Sequence, residues 1–409
     1  MPNCADVKGR ESVGLPLIMF LVALVAFAIT YALVYPSTVI AKKLGAVDLP
    51  SERRVHKRAT TRMGGIAIFG GIAITLAVTY ALCAAHVLPQ ELALPRNVNV
   101  IGLFAGMIVM FAVGCIDDVF QIRALYKLFG QIVAAIIVAA SGVMLSEIKL
   151  FAGPGLFDLG ILAWPITVFW LVAFANIINL IDGLDGLAAG VCAITYGAFF
   201  VMSLMNGTWF AALVALVGVG SCLAFLRFNF HPAKLFMGDS GSLTLGFLLG
   251  IISLLGLMRV ATLTSLAVPV IIAGIPVLDT FSAIVRRRRE HISISVPDKG
   301  HIHHSLMKGG RDQRTVVLTI YAICAVFAVS GVVVAGSNDI VRIVVVILDL
   351  AVAAFLVWRL KLFGAVLAHV YNPADRKNGR THPGNPEFDA VMPQRHSAPD
   401  EEEVEEQES

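Results

Sequence analysis

The chain has 409 residues, of which 57% are hydrophobic and only 14% charged, with a formal net charge of +3. Ordinary soluble domains carry roughly a quarter charged residues, so a water-soluble globular fold is excluded: it would have too little polar surface to cover the apolar side chains. The small net charge says little until the basic residues are placed.

In chain order the apolar residues form long runs, beginning with Val13–Tyr35, Gly64–Ala85 and Val98–Ile116. Each is near the ~20 residues a helix needs to cross hydrocarbon. Further runs follow at 126–145, 158–178, 186–205, 208–226, 241–258, 262–285, 315–336 and 339–360. The pattern predicts an all-α, polytopic membrane protein with about eleven transmembrane helices. The first run is too long for the core of a signal peptide and leads into Lys42 and Lys43, so it is read as a helix. Cys4, Cys83, Cys115, Cys192, Cys222 and Cys324 lie scattered, mostly inside these runs and without metal-ligand spacing, and read as small packing residues.

If the helices alternate, the loops at 36–63, 117–127, 227–240 and 286–314 share one side and hold nineteen Lys or Arg, against four in the opposite loops. Basic residues in short loops stay in the cytoplasm, which puts the amino terminus outside and the carboxyl terminus inside. Residues 1–371 form the transmembrane domain. The tail 372–409 is polar, ends in the acidic run 401–406, and cannot bury enough apolar area to offset chain entropy, so it is expected to be a disordered cytoplasmic segment. No internal repeat points to an inverted-repeat transporter.

Nearly every unusual polar cluster falls on the inside face or within a turn or two of it. A carrier would be expected to place ionisable groups near the midplane, where the best exception is Asp279, inside the helix that ends at Arg286. It reads as lining the cytoplasmic cavity, with helix packing through Thr280 as the alternative. The balance favours an enzyme working at the membrane surface, with a secondary transporter of anionic solutes as the alternative.

The clusters themselves carry the chemistry. Asp117 and Asp118 directly follow the third run; adjacent carboxylates repel, so they call for a proton, a cation or a basic neighbour. Steps of three set Asn176, Asn179 and Asp182 on one helical face, ahead of the tight turn Gly183-Leu184-Asp185-Gly186. In Phe236-Met237-Gly238-Asp239-Ser240-Gly241-Ser242, Asp239 suits either an N-cap or a magnesium ligand, with helix-start amides to attract phosphates. Phe236 offers a ring on which a base can stack. Arg286–Arg289 read as a topology anchor or headgroup contact, and the histidines of Asp298-Lys299-Gly300-His301-Ile302-His303-His304 suit phosphate better than zinc. The loop 51–65 concentrates cations beside Gly64-Gly65 and suits a polyanion or a topology signal. No P-loop or dinucleotide fingerprint is present, so nucleotide hydrolysis and hydride transfer have no motif.

Taken in order, Arg62-Met63-Gly64-Gly65, Asp117-Asp118, Lys127 with Gln131, Asn176 through Gly186, Phe236 through Ser242 and His301-Ile302-His303-His304 resemble the polyprenyl-phosphate N-acetylhexosamine-1-phosphate transferases, glycosyltransferase family 4. The resemblance covers roughly residues 45–310. It implies transfer of a sugar 1-phosphate from a UDP-sugar to undecaprenyl phosphate, with release of UMP, at the cytoplasmic face of the bacterial plasma membrane. It implies magnesium, replaceable by manganese, with Asp239 and Asp118 as ligands and Asp117 and Asp118 as catalytic carboxylates, Asp117 deprotonating the lipid phosphate. Lys57, Arg62, Lys127, Asn179, Asp182, Asp185, Asn229, Phe236, His301, His303 and His304 are implied to bind substrate. Membrane lipids and a second copy of the chain are the other expected partners, and no nucleic acid is among them.

The His-Ile-His-His spacing resembles the branch that transfers N-acetylglucosamine 1-phosphate to start O-antigen, common-antigen or teichoic-acid chains. The phospho-N-acetylmuramoyl-pentapeptide transferases of peptidoglycan synthesis, the alternative branch, usually show three consecutive histidines. Gln121 and Thr61 stand where the family commonly has an acid or lysine and a proline. Exchanging one phosphoanhydride for another needs positioning and charge neutralisation more than covalent chemistry. Direct attack of the lipid phosphate on the β-phosphate is expected, with a covalent aspartyl intermediate as the rival.

Overall fold

A computed structural model of the protein describes residues 4–48, 60–149, 156–257, 269–289, 302–307 and 312–359. The apolar runs form helices because hydrocarbon offers no partner for backbone N–H and C=O groups, so each segment must satisfy its own. The helices are α1 (Cys4–Lys43), α2 (Gly65–Ala84), α3 (Val100–Phe120), α4 (Ala124–Ala140), α5 (Ala163–Ile181), α6 (Leu187–Met205), α7 (Trp209–Asn229), α8 (Gly238–Leu257), α9 (Gly274–Arg289), α10 (Ile302–Met307), α11 (Gln313–Gly336) and α12 (Asp339–Arg359). Among the described residues, nine helices are long and apolar enough to span a bilayer, and the 17-residue α4 is a shorter apolar helix. The expectation of an all-α polytopic membrane protein is met.

The helices differ sharply in what surrounds them. Helix α8 is enclosed by protein along almost its whole length, packed on α3 and α5 and touching α2, α6 and α7. That shielding lets it carry Ser240, Ser242 and Thr244, whose hydroxyls are all hydrogen-bonded, at no cost to lipid contact. Helix α12 lies at the other extreme, with its apolar side chains facing outward and its main packing on α11. The sequence reading passed over one residue here. Asp349 stands in the middle of α12, hydrogen-bonded by the Ser330 hydroxyl of α11, so the spans do hold a midplane carboxyl.

Five short strands cap the two ends. β1 (Val47–Asp48), β2 (Thr60–Arg62) and β5 (Leu235–Phe236) form one sheet at the end where α1 finishes and α2 and α8 begin. β2 pairs antiparallel with β1 and parallel with β5, the latter in the register Thr61 to Leu235 and Arg62 to Phe236. The N–H groups of Gly64 and Gly65 then donate to the carbonyls of Phe236 and Met237, both at 2.9 Å. The starts of α2 and α8, far apart in sequence, are thus stitched side by side. β3 (Glu147–Lys149) and β4 (Leu156–Asp158) form an antiparallel hairpin between α4 and α5.

The third helix reaches Phe120, beyond the predicted end at Ile116, so Asp117 and Asp118 belong to its last turn instead of following it. Gln121 then turns the chain in the left-handed region, with φ +48°, while its N–H closes the helix on the Asp117 carbonyl at 2.9 Å. The short link that results returns α4 alongside α3. Lys57, His301 and the predicted tail 372–409 lie outside the described residues.

Candidate active site

Four helix ends meet beside the β1-β2-β5 sheet: the end of α3, the start of α4, the end of α5 and the start of α8. Lys127, in the first turn of α4, sends its ammonium between two carboxylates. It donates to Asp117 Oδ2 at 3.2 Å and to Asp239 Oδ2. It also reaches Asn179 Oδ1 at 3.4 Å. Asn179, from the end of α5, donates from Nδ2 to Asp239 Oδ1 at 2.8 Å and to Ser242 Oγ at 2.9 Å. Four side chains from four helices therefore converge on one point, with Asp239 at its centre.

Asp118 faces away from that point. It is 3% exposed, and both of its oxygens are engaged by the start of α8. Oδ1 accepts the Asp239 N–H at 2.7 Å; Oδ2 accepts the Ser240 N–H at 3.0 Å and the Ser240 hydroxyl at 2.6 Å. The first N–H groups of a helix have no partner within it and favour negative charge, and Asp118 supplies that charge. Two expectations change as a result. Two of the helix-start amides expected to attract phosphates, those of Asp239 and Ser240, are already occupied, and Asp239 does not cap its own helix but turns its carboxylate outward to Lys127 and Asn179.

The approach of α3 to α8 depends on glycine at both helices. A Cβ at Gly114 would fall 2.4 Å from Ser240 Cα, and one at Gly238, whose φ is +71°, would fall 2.5 Å from the Asp118 carboxylate. No other residue type fits either place without moving the helices apart.

The remaining predicted residues form a surrounding layer. Asn176 and Gln131 make a reciprocal amide pair across α5 and α4, with Asn176 Nδ2 donating to Gln131 Oε1 at 2.7 Å. Asp182 closes α5. Burial, and after it the negative charges of Asp239 and Asp118, push its carboxyl up to about 7, against the opposing effect of Arg62. Asp185 and Asn229, expected at the substrate, hold loops together. Asp185 Oδ2 pairs with His231 Nδ1 at 2.9 Å and accepts the Ala233 N–H at 3.0 Å. Asn229, 3% exposed, accepts the Gly186 N–H at 3.0 Å and donates to the Leu235 carbonyl at 2.9 Å. Arg62 and Phe236 sit opposite each other in the sheet. His303 and His304 belong to α10, with side chains outside the described residues.

Two contributors escaped the sequence reading. Tyr321 of α11 donates its hydroxyl to the Gly186 carbonyl at 2.5 Å, fixing the Asp182–Gly186 turn from the far side. Arg314 donates to the His231 carbonyl at 3.3 Å. A tyrosine in an apolar run gives no local signal, because its partner is a backbone carbonyl on another helix.

The donor set fits a hard divalent cation. Asp117 and Asp239 already share one positive group, and no cluster of three or more His, Cys, Asp or Glu suited to a metal occurs among the described residues. Two carboxylates that leave the remaining positions to water and phosphate oxygens match the way magnesium is held, whereas calcium prefers a fuller oxygen cage.

The model of glycosyl transferase family 4 matches residues 100–257, the stretch holding Asp117, Lys127, Asn179 and Asp239. The chain is 38% identical over 365 residues to a Bacillus subtilis protein named "Probable undecaprenyl-phosphate N-acetylglucosaminyl 1-phosphate transferase", covering 88% of this chain and 94% of that one. It is 37% identical over 330 residues to the decaprenyl-phosphate N-acetylglucosaminephosphotransferase of Mycolicibacterium smegmatis, covering 75% and 80%. Similarity to the phospho-N-acetylmuramoyl-pentapeptide-transferase of Desulforamulus reducens is 32% over 312 residues, covering 69% and 84%. Similar along most of its length to these proteins and matched by the family model across its polar helix ends, the chain belongs to glycosyl transferase family 4.

Proposed function

We propose that this protein transfers N-acetylglucosamine 1-phosphate from UDP-N-acetylglucosamine to undecaprenyl phosphate, releasing UMP, as the first membrane step in building a cell-envelope polysaccharide. The observation that carries the proposal is the convergence of Asp117, Lys127, Asn179 and Asp239 on one end of a membrane bundle. A lipid-borne phosphate sits at the headgroup level, where helix ends emerge, and a site made of helix ends meets it there. The Bacillus subtilis and Mycolicibacterium smegmatis relatives, named for N-acetylglucosamine transfer, match a larger share of the chain, at higher identity, than the Desulforamulus reducens pentapeptide-transferase does, which supports this donor.

In the reaction an oxygen of the lipid phosphate bonds to the β-phosphorus of the nucleotide sugar, and the bond from that phosphorus to the bridging oxygen of UMP breaks. Asp117 accepts any proton remaining on the lipid phosphate. Lys127 neutralises charge on the carboxylates and then on the equatorial phosphate oxygens, where charge accumulates in phosphoryl transfer. Asn179 holds Asp239 in its rotamer. Asp117 and Asp239 would hold magnesium, which when bound neutralises the diphosphate and orients it for in-line displacement. Asp118, committed to the start of α8, acts by position and not as base or ligand. Asp185, Asn229 and Tyr321 shape the turn and loop around the nucleotide, with Phe236 and Arg62 beside them.

The site faces the cytoplasm in this reading, with the amino terminus outside, because the loops at that end are the basic ones. This reading counts α4 and α9 as crossings beside the nine longer helices among the described residues, eleven in all. A donor comparison tests the reading: purified protein with undecaprenyl phosphate and magnesium is given either UDP-N-acetylglucosamine or UDP-N-acetylmuramoyl-pentapeptide. UMP release with the first alone is expected; release with the second alone would move the protein to the other branch.

A further inference from the structure

We propose that Asp279 is a positioning residue: it sets the histidine-bearing helix α10 on the bundle by accepting the backbone N–H of Ile302. Asp279 lies within α9, is 2% exposed, and takes the Ile302 N–H on Oδ1 at 2.8 Å, across 23 positions of chain. Ile302 is the first residue of α10, and His303 and His304 follow it immediately. A buried carboxylate has no route to a substrate, which removes Asp279 from the cavity lining expected of it.

Helix α10 has only six residues, too few to hold itself, since nucleation costs more than one turn of hydrogen bonds returns. It is held from outside instead. Ile302 and Leu306, one turn apart, are 2% and 8% exposed and belong to the main core, which fixes the face the helix turns inward. That apolar pair leaves rotation and sliding along the core weakly defined. An acceptor on the first N–H fixes where the helix begins, because the bond is directional and a buried amide left without it is costly. The device repeats the one at α8, where buried Asp118 takes the first amides of the helix that presents Asp239. Two buried acids thus each take the first amides of a helix: Asp118 those of α8, which presents Asp239, and Asp279 that of α10, which carries His303 and His304.

The inference rests on the proposed function for the role of the histidines and is tested with full-length protein in detergent micelles. Asp279→Asn keeps an acceptor oxygen for Ile302; Asp279→Ala does not. Asp279→Asn is expected to stay within about threefold of the parent in kcat/KM, and Asp279→Ala to fall ~30-fold, mainly through KM for the nucleotide sugar and with an unchanged magnesium requirement. Combining Asp279→Ala with His304→Ala should cost much less than the two separate effects together, because both act through one helix. Hydrogen exchange of residues 302–307 should accelerate in Asp279→Ala and not in Asp279→Asn. Folded Asp279→Asn as inactive as Asp279→Ala would overturn the inference, since the charge and not the acceptor would then matter; so would unchanged exchange in Asp279→Ala. If Asp279→Ala does not fold, Asp279→Asn decides alone. A parent that releases no UMP defeats the functional reading, while the exchange measurement still judges Asp279.

Discussion

Asp118 accepts the backbone N–H of Asp239 at 2.7 Å, so the second acid of the Asp117-Asp118 pair fixes the start of the helix whose first turn presents Asp239. Neighbours in sequence, the two acids point to different tasks: Asp117 faces Lys127, and Asp118 faces the amides of α8. Asp118→Asn keeps the shape but sets an amide N–H against donors. A hydrogen bond to a charged group contributes about 1.5–3 kcal/mol, so the variant should lose several degrees of thermal stability and ~10- to 100-fold in activity. Raised magnesium should recover part of that activity if the damage is a displaced Asp239. A stable Asp118→Asn with no activity at any magnesium concentration would return Asp118 to direct chemistry.

Lys127 occupies the place between the two carboxylates that a divalent cation would also seek. Lys127→Met should therefore abolish turnover while increasing the rise in melting temperature on adding magnesium, because the competing ammonium is gone and two carboxylates are left to be neutralised. A smaller magnesium effect than in the parent would show that the lysine helps hold the cation and does not compete with it.

Asp182 gives a pH dependence. Its carboxyl is pushed up from 3.8 to about 7, chiefly by burial, so the folded protein binds a proton there that the unfolded chain releases. The associated stability is fully present below pH 3.8 and is lost as the pH rises through about 7. In EDTA, the melting temperature of the parent should fall between about pH 4 and about pH 7 and level off above that, and Asp182→Asn should flatten that fall. An equal slope in both proteins would assign the dependence to another group.

Asn179 and Asn229 separate chemistry from architecture. Asn229 is buried and satisfies two backbone groups, so Asn229→Ala leaves both unpaired, at about 1–3 kcal/mol each, and should reduce the yield of folded protein. Asn179 is bonded to side chains at the rim of the site, so Asn179→Ala should lower kcat ~10-fold or more with a near-normal melting temperature. Size-exclusion profiles and melting curves measured beside the activities distinguish the two.

The helices were legible because membrane spans announce themselves by length and hydropathy, and the Asp117, Asn179 and Asp239 segments because polar groups at span ends have few structural excuses. Partner choice was not legible. Nothing local distinguishes Asp117 from Asp118, and their division of labour emerges only when α8 packs on α3 through Gly114 and Gly238. Tyr321 and Asp279 were likewise invisible or misread, since each bonds a backbone group on a distant segment. Asp349 was visible and passed over; its pairing with Ser330 lies in the contact of the last two helices.

The most direct test of the account is UMP release by purified protein in detergent micelles supplied with magnesium, undecaprenyl phosphate and UDP-N-acetylglucosamine, with Asp239→Asn assayed in parallel. Release by the parent, dependent on the lipid phosphate and lost in a folded Asp239→Asn variant, is the predicted result. Undiminished release by Asp239→Asn would contradict the site assigned to the end of α8, and a folded parent silent with every UDP-sugar would contradict the transferase itself.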